Sequence, residues 1–158
     1  MNPLTRLAHG LGRFPLVMRL APVIVAVDRV LHRISRGRLS LLRIAGMPSL
    51  RLVTTGRRTG QPRAIDLLYT PYGADYVVIG SGWGRPKHPA WSLNLMADPK
   101  ATVILRGRAV PVVARRPDER EEADIWALAV RNWPGYEMEL RIAGGREFRI
   151  FVLSATDA

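Results

Sequence analysis

The stretch Leu50–Thr70, LRLVTTGRRTGQPRAIDLLYT, decides how this chain is read. Two apolar, β-branched runs, Leu50–Thr55 and Pro62–Thr70, flank a polar turn, so the segment predicts two strands joined by a tight connection. The turn is richer than a chain reversal requires. Between Thr54 and Arg63 it holds Arg57, Arg58 and Arg63, two glycines and several hydroxyls. Guanidinium forks match phosphate and carboxylate oxygens. Gly56 and Gly60 are expected to adopt positive φ and aim backbone N–H groups at an anion. A solvated basic turn has the same composition; the rest of the chain tilts the reading toward a site.

Downstream the β pattern continues. Pro71-Tyr72-Gly73 reads as a turn, and Asp75–Ser81, carrying YVVIG, as a buried strand. The loop GSGWGRPKHP has too much glycine and proline for an element. Ala90–Ala97 predicts a short helix stopped before Asp98-Pro99. Thr102–Leu105 and Arg108–Arg115 form a hairpin around Arg106-Gly107. Asp118 and Glu121 make a capping box that opens a helix through about Val130. Phe148–Ser154 is the last strand. Six short, mainly antiparallel strands with two intervening helices predict an α+β fold, its sheet closed into a small barrel. Residues 1–45 read as a basic, partly helical segment with apolar positions Leu16, Leu20, Ile24, Val27, Leu31 and Ile34. Pro15 and Pro22 interrupt it and Gly37 ends it. The chain therefore divides into this segment and a cofactor-binding domain over 46–158.

Composition narrows the chemistry. The 158 residues are 47% apolar, enough for one folded domain. There is no cysteine, which excludes disulfides, thiolate metal sites and a cysteine nucleophile. His9, His32 and His88 show no metal-ligand spacing. The net charge of +11 is unevenly placed: residues 1–63 carry twelve arginines against one acid, Asp28, while the remainder balances. Such asymmetry points to an anionic partner. The run Leu20–Val27 is far shorter than the ~20 residues of a membrane span, and no signal-peptide cleavage pattern is evident. A cytoplasmic protein is expected, its N-terminal segment either packed on the domain or lying on the inner membrane surface with arginines at the headgroups.

Two further clusters are candidates for a site. Gly80-Ser81-Gly82-Trp83-Gly84 leaves a buried strand with residues small enough for a planar ring to approach the backbone. His88-Pro89-Ala90-Trp91-Ser92-Leu93-Asn94 opens a helix whose free N–H groups suit an anion; Asn94 is placed to cap or to bind. Trp133-Pro134-Gly135-Tyr136 ends the long helix with two aromatics that pack or line a pocket. No nucleophile–base pair, Gly-x-Ser-x-Gly elbow or carboxylate pair is visible. That absence favours a protein that binds a reactive cofactor and leaves the chemistry to it.

Taken in order, GRRTGQPR, the strand ending in Gly-Ser, KHPAWSLNL, ADPKA and WPGYE resemble the deazaflavin-dependent nitroreductase family of actinobacteria, over roughly residues 45–154. The resemblance implies a split β-barrel related to FMN-binding flavin reductases. It also implies the cofactor coenzyme F420, a deazaflavin with a phosphate and a polyglutamate tail. The implied reaction is hydride transfer from reduced F420 to a quinone, nitroaromatic or activated alkene. Position by position, it gives Arg57, Arg58 and Thr59 to the phosphate and tail, and Arg63, Ala64, Ile65, Asp66, Leu67 and Leu68 to the cofactor's flank. Ile79, Gly80, Ser81 and Gly82 run along the ring. Ala90, Trp91, Ser92, Leu93 and Asn94 form the helical side, Lys87 precedes the Pro-x-Trp motif, and Tyr136 closes the pocket. Ser81 and Tyr136 are the candidate catalytic donors to charge developing on the substrate. The sequence departs from the family pattern at Gly82, where a lysine often follows the serine, at Ile65-Asp66, and at Trp133 and Glu139, where tyrosines flank Tyr136.

Other readings stay open at this level. FMN is the rival cofactor. A non-catalytic protein of the same fold would carry F420, FMN or a lipophilic ligand. Nucleic-acid binding rests on charge alone, without a recognised module or stacked aromatics, and is not expected. A small-molecule electron acceptor is; the oligomeric state is not readable.

Overall fold

The computed structural model describes residues 3–11, 13–35 and 39–156. Seven strands form one sheet: β1 (Ser49–Thr55), β2 (Pro62–Leu68), β3 (Thr70–Tyr72), β4 (Asp75–Ile79), β5 (Lys100–Leu105), β6 (Arg108–Arg115) and β7 (Ile150–Ala155). Their order is β2-β1-β5-β6-β7-β4-β3, and every pairing is antiparallel. The two edge strands, β2 and β3, are separated in the chain by Tyr69 alone. A flat sheet of this order would hold its edges roughly 29 Å apart, at about 4.8 Å per strand, which one residue cannot span. The sheet must curl until its edges approach, and this closure makes the split barrel.

Residue patterning fixes which way each strand faces. In β1, Leu50, Leu52 and Thr54 are buried and their neighbours are not. Strand β7 is buried on both sides: Ile150 and Val152 join one core, Phe151 and Leu153 the other. The first core is covered by α6 (Glu119–Asn132) and α7 (Gly135–Ile142) through Ile125, Ala129 and Tyr136. The second receives Trp91 and Leu95 from α5 (Ala90–Ala97), and the Trp91 ring packs 5.8 Å from Phe151.

Two elements depart from the sequence reading. Pro71 lies in β3 and not in a turn, because an edge strand tolerates a residue without an N–H; the reversal falls on Gly73, at φ +60°. Trp133-Pro134-Gly135-Tyr136 ends the long helix as expected, with α6 closing at Asn132, but the same stretch also opens a further helix, α7, that the sequence reading lacked; Gly135 is required because a Cβ there would sit 2.3 Å from the Trp133 ring.

The N-terminal helices are α1 (Pro3–Leu11), α2 (Pro15–Arg19), α3 (Ala21–Ile34) and α4 (Leu41–Ile44). Pro15 and Pro22 start helices and do not break them, since the first turn has no N–H to lose. Gly37, the expected helix end, lies outside the described residues. Helix α1 faces the domain with Thr5, whose Oγ1 donates to the Ala45 carbonyl at 3.0 Å, and with His9, edge-on to Trp133. Its leucines Leu7 and Leu11 face outward. Helix α3 is tied to the barrel by His32, whose Nδ1 lies 3.4 Å from Asp66 Oδ2; Arg51 reaches the same carboxylate at 3.6 Å and also contacts the His32 ring. Burial raises the Asp66 pKa, against the lowering pull of Arg51 and His32.

Candidate functional site

The β1–β2 turn is folded to hold one shape. The Gly56 N–H donates to the Gln61 carbonyl at 2.8 Å, and the Thr59 and Gly60 N–H groups return to the Gly56 carbonyl at 3.1 and 2.7 Å. Gly60 takes φ +67°, where glycine is favoured. Gly56 does not adopt positive φ, which corrects the expectation for that residue. Contact excludes a side chain there: a Cβ would lie 2.9 Å from Thr59 Oγ1 and 3.0 Å from the Gln61 carbonyl oxygen. The turn closes over Gly56 and leaves Arg57, Arg58 and Thr59 exposed.

Asn94 braces this turn from α5. It is 4% exposed; its Nδ2 donates to Thr54 Oγ1 at 3.0 Å, and its Oδ1 accepts from the Arg57 N–H at 3.2 Å. One buried amide thus joins helix, strand and turn.

Between the turn, β2 and the start of α5 lies an open groove of about 330 Å³, within the usual size of small-molecule sites, about 300–1,000 Å³. Arg57, Arg58 and Arg63 form its cationic wall. Ala64, Ile65, Ala90 and Trp91 supply its apolar lining, and Gly56, Thr59 and Asn94 complete it. The N-terminal end of α5, partially positive by its peptide dipoles, opens on the same space. The groove suits a ligand with an anionic tail and a flat apolar body.

The other predicted residues do not line the groove. Leu67 and Leu68 point to opposite cores, and Asp66 is engaged with α3. Lys87 is exposed, Leu93 half-buried, and Ser92 fully buried with its Oγ donating to the Pro89 carbonyl at 2.9 Å. Ile79 ends β4. Gly80 follows, its N–H donating to the Arg149 carbonyl at 2.8 Å and its bare Cα lying against Ser92. Gly82, at φ +56°, abuts Pro89. The Ser81–Gly84 turn therefore rests beside the first turn of α5, next to the groove's apolar wall. Tyr136 is buried in the first core, its ring 6.2 Å from Trp126. Desolvation pushes its phenol pKa far upward, so it remains a neutral hydroxyl at physiological pH.

One side chain that the sequence did not single out as a site residue, Arg146, fixes the Ser81 turn. Arg146 donates through Nε to the Arg85 carbonyl and through Nη1 to the Gly80 carbonyl, both at 2.9 Å, and through Nη2 to the Ser81 carbonyl. Its guanidinium lies 4.8 Å from the Phe148 ring centroid. Glu139 is 4% exposed and accepts from Trp133 Nε1 at 3.0 Å. Burial raises its pKa against that bond. The only local signal for Glu139 was its position three residues after Tyr136, on the same helical face.

Known proteins resemble this chain in sequence and fold. The sequence profile of the F420H(2)-dependent quinone reductase family matches residues 29–155. An F420H(2)-dependent quinone reductase of Mycobacterium tuberculosis is 32% identical over 104 residues, 65% of this chain and 70% of that protein. The structure of an F420-H2 dependent reductase (FDR-A) superimposes with TM-score 0.62 at 29% identity, covering 68% of this chain and 94% of that one. A structure described as a domain-swapped dimer gives TM-score 0.64 at 27% identity, covering 86% and 99%.

Proposed function

Because the chain belongs to the F420H(2)-dependent quinone reductase family, whose cofactor is coenzyme F420, we propose that it passes a hydride from reduced F420 to a quinone. The observation that carries this reading is the groove lined by three arginines together with Ala64, Ile65, Ala90 and Trp91. Arg57, Arg58 and Arg63 would hold the phosphate and carboxylates of the cofactor, and the helix dipole of α5 would add to them. Ala64, Ile65, Ala90 and Trp91 would take the flat ring system. The deazaflavin, when bound, supplies the hydride. The protein's own work is to fix the ring, exclude water from one face and offer a donor to the oxygen that becomes negative. Ser81, beside the groove, is the donor in this reading; Tyr136, the other donor expected from the sequence, is buried in the first core and does not line the groove. Nitroaromatics and activated alkenes are alternative acceptors for the same site.

Titration with F420 and with FMN, followed by fluorescence quenching, tests the cofactor half of the proposal. F420 should bind more tightly, because its tail engages more than one guanidinium. Each charged hydrogen bond contributes about 1.5–3 kcal/mol, so replacing Arg57, Arg58 and Arg63 together by alanine should weaken F420 at least about a hundredfold and leave the circular dichroism unchanged. Equal affinity of the triple variant and its parent would refute it. Turnover of a quinone by reduced F420 separates an enzyme from a carrier.

The N-terminal helices support a second element of the proposal, peripheral attachment to an anionic membrane. Leu7, Leu11, Phe14, Leu16, Val23, Val27, Val30 and Ile34 are exposed, Ile34 to 77%. Arg6, Arg13, Arg19, Arg29 and Arg33 are exposed among them. No helix among the described residues is long and apolar enough to cross a membrane. An apolar face rimmed by arginines suits the headgroup boundary, where a lipophilic quinone would also be found.

A further inference from the structure

Just before α5 the fold gathers a second cluster of basic side chains, and none of them lines the groove. His88 Nδ1 lies 3.4 Å from Arg146 Nη1. Gly80 brings Arg149 to the same place. Its carbonyl accepts from Arg146, and its N–H donates to the Arg149 carbonyl at 2.8 Å. A Cβ at Gly80 would stand 3.8 Å from Arg149 Cβ and 3.5 Å from Ser92 Cβ on α5. Arg149 comes two residues before Phe151, whose ring carries the Arg116 guanidinium at 5.7 Å. Among the described residues, none of His88, Arg116, Arg146 and Arg149 makes an ion pair with a carboxylate. Glu139, the acid whose charge bears on Arg146, accepts from Trp133 Nε1 instead.

The hydrogen-bonding capacity left in this cluster is all of one kind. A guanidinium only donates, so His88 Nδ1 accepts from Arg146 and the proton of the neutral ring sits on Nε2, a donor. Burial, then the charges of Arg149, Arg146 and Arg116, lower the His88 pKa and keep the ring neutral at neutral pH. Arg149 is half-buried, and its Nη1 is buried without a hydrogen-bond partner. Buried polar atoms are partnered as a rule, so this nitrogen calls for an acceptor. Donors backed by two guanidinium charges repel a cation and match an oxyanion, which only accepts. We propose that His88, Arg146 and Arg149 form a second anion site, separate from Arg57, Arg58 and Arg63, that takes a phosphate or carboxylate group. Either the cofactor or an acid-bearing electron acceptor brings that group. Only this last choice rests on the F420 reading; the site itself does not.

Inorganic phosphate is the probe. In the cofactor-free protein it should raise the His88 pKa, because a neighbouring anion favours the imidazolium, and the rise should saturate with phosphate. The imidazole NMR signal, assigned with His88→Gln, reads it. Arg149→Met keeps the bulk of the side chain and removes its donors; phosphate at His88 should weaken about tenfold or more. Arg149→Lys, which keeps the charge, should recover part of that loss. Replacing Arg57, Arg58 and Arg63 together by alanine should leave the His88 response in place. The inference is overturned if phosphate does not move His88 in the parent, a measurement that needs no variant to fold. It is equally overturned if a folded Arg149→Met protein responds like the parent, or if the triple-alanine protein loses the response. Loading with F420 then assigns the group: a response that disappears gives the site to the cofactor, and one that persists gives it to the acceptor. A protein that takes up no F420 would overturn the functional reading instead, and the phosphate titration would still decide the anion site.

Discussion

Asn94 and Glu139 are buried polar groups, the first joined to Thr54 and Arg57 and the second to Trp133, and single substitutions should expose what they hold. Asn94→Ala removes partners from Thr54 Oγ1, buried beneath the turn, and from the Arg57 N–H. An unsatisfied buried group costs about 1–3 kcal/mol, so thermal unfolding should come earlier by several degrees. F420 affinity should drop as well, because Arg57 loses its backbone brace; a variant that is destabilised but binds F420 normally would separate the brace from the site. For Glu139 the sign follows from its raised folded pKa. The folded state then binds a proton that the unfolded chain has already released, so stability is greatest at acid pH. It is lost as pH climbs from the ordinary carboxylate value of about 4.3 to the folded pKa, and levels off beyond. Denaturant midpoints measured across that window should fall for the parent and stay flatter for Glu139→Gln. An identical slope in both proteins would show that the acid titrates alike in both states.

Among the elements, α6 has the most complete start signal. The Asp118 carboxylate accepts from the Glu121 N–H at 2.8 Å while Glu121 reaches back to the Asp118 N–H at 3.3 Å. Asp118→Ala should cost about 1 kcal/mol, a fall of roughly 2–4 °C in Tm for a domain of this size, with cofactor binding unchanged. That helix was legible in the sequence because its capping is local. The strands β1, β4, β5, β6 and β7 were legible because β-branched runs are bounded by turn residues. Strand β3 was not, since Pro71 and Gly73 speak for a turn and only pairing with Tyr76 and Val77 of β4 makes an edge strand of it. Helix α7 was hidden behind Pro134-Gly135 and carries a buried acid where a core-facing helix shows an apolar residue. In the site, the arginine turn and the Pro-Ala-Trp helix start were readable as local clusters. The grip of Arg146 on the Ser81 turn was not, because it joins residues 61 to 66 positions apart and no local pattern encodes it.

At the scale of the molecule, the excess charge and the unpaired apolar surface coincide, and that coincidence discriminates between possible cover for the N-terminal helices. A second copy apposed face to face would bring its own exposed arginines against Arg6, Arg13, Arg19, Arg29 and Arg33, a repulsion that grows as the solution is desalted. An anionic bilayer has the opposite response: each arginine near the surface contributes about 1 kcal/mol, attenuated by salt, and the apolar side chains add a part that salt leaves alone. Full-length protein should therefore float with vesicles containing phosphatidylserine, float poorly with phosphatidylcholine alone, and lose part of its binding at high ionic strength. On α3, Val23, Val27, Val30 and Ile34 recur at helical spacing on the outward face. Val27→Asp with Ile34→Asp should remove most of the salt-resistant binding, while F420 affinity and the quinone rate in detergent hold at the parent's values, because both residues lie outside the groove. If the double variant floats as well as its parent, the outward stripe is not a lipid contact; if the parent sediments as a dimer and the variant as a monomer, a second copy covers it.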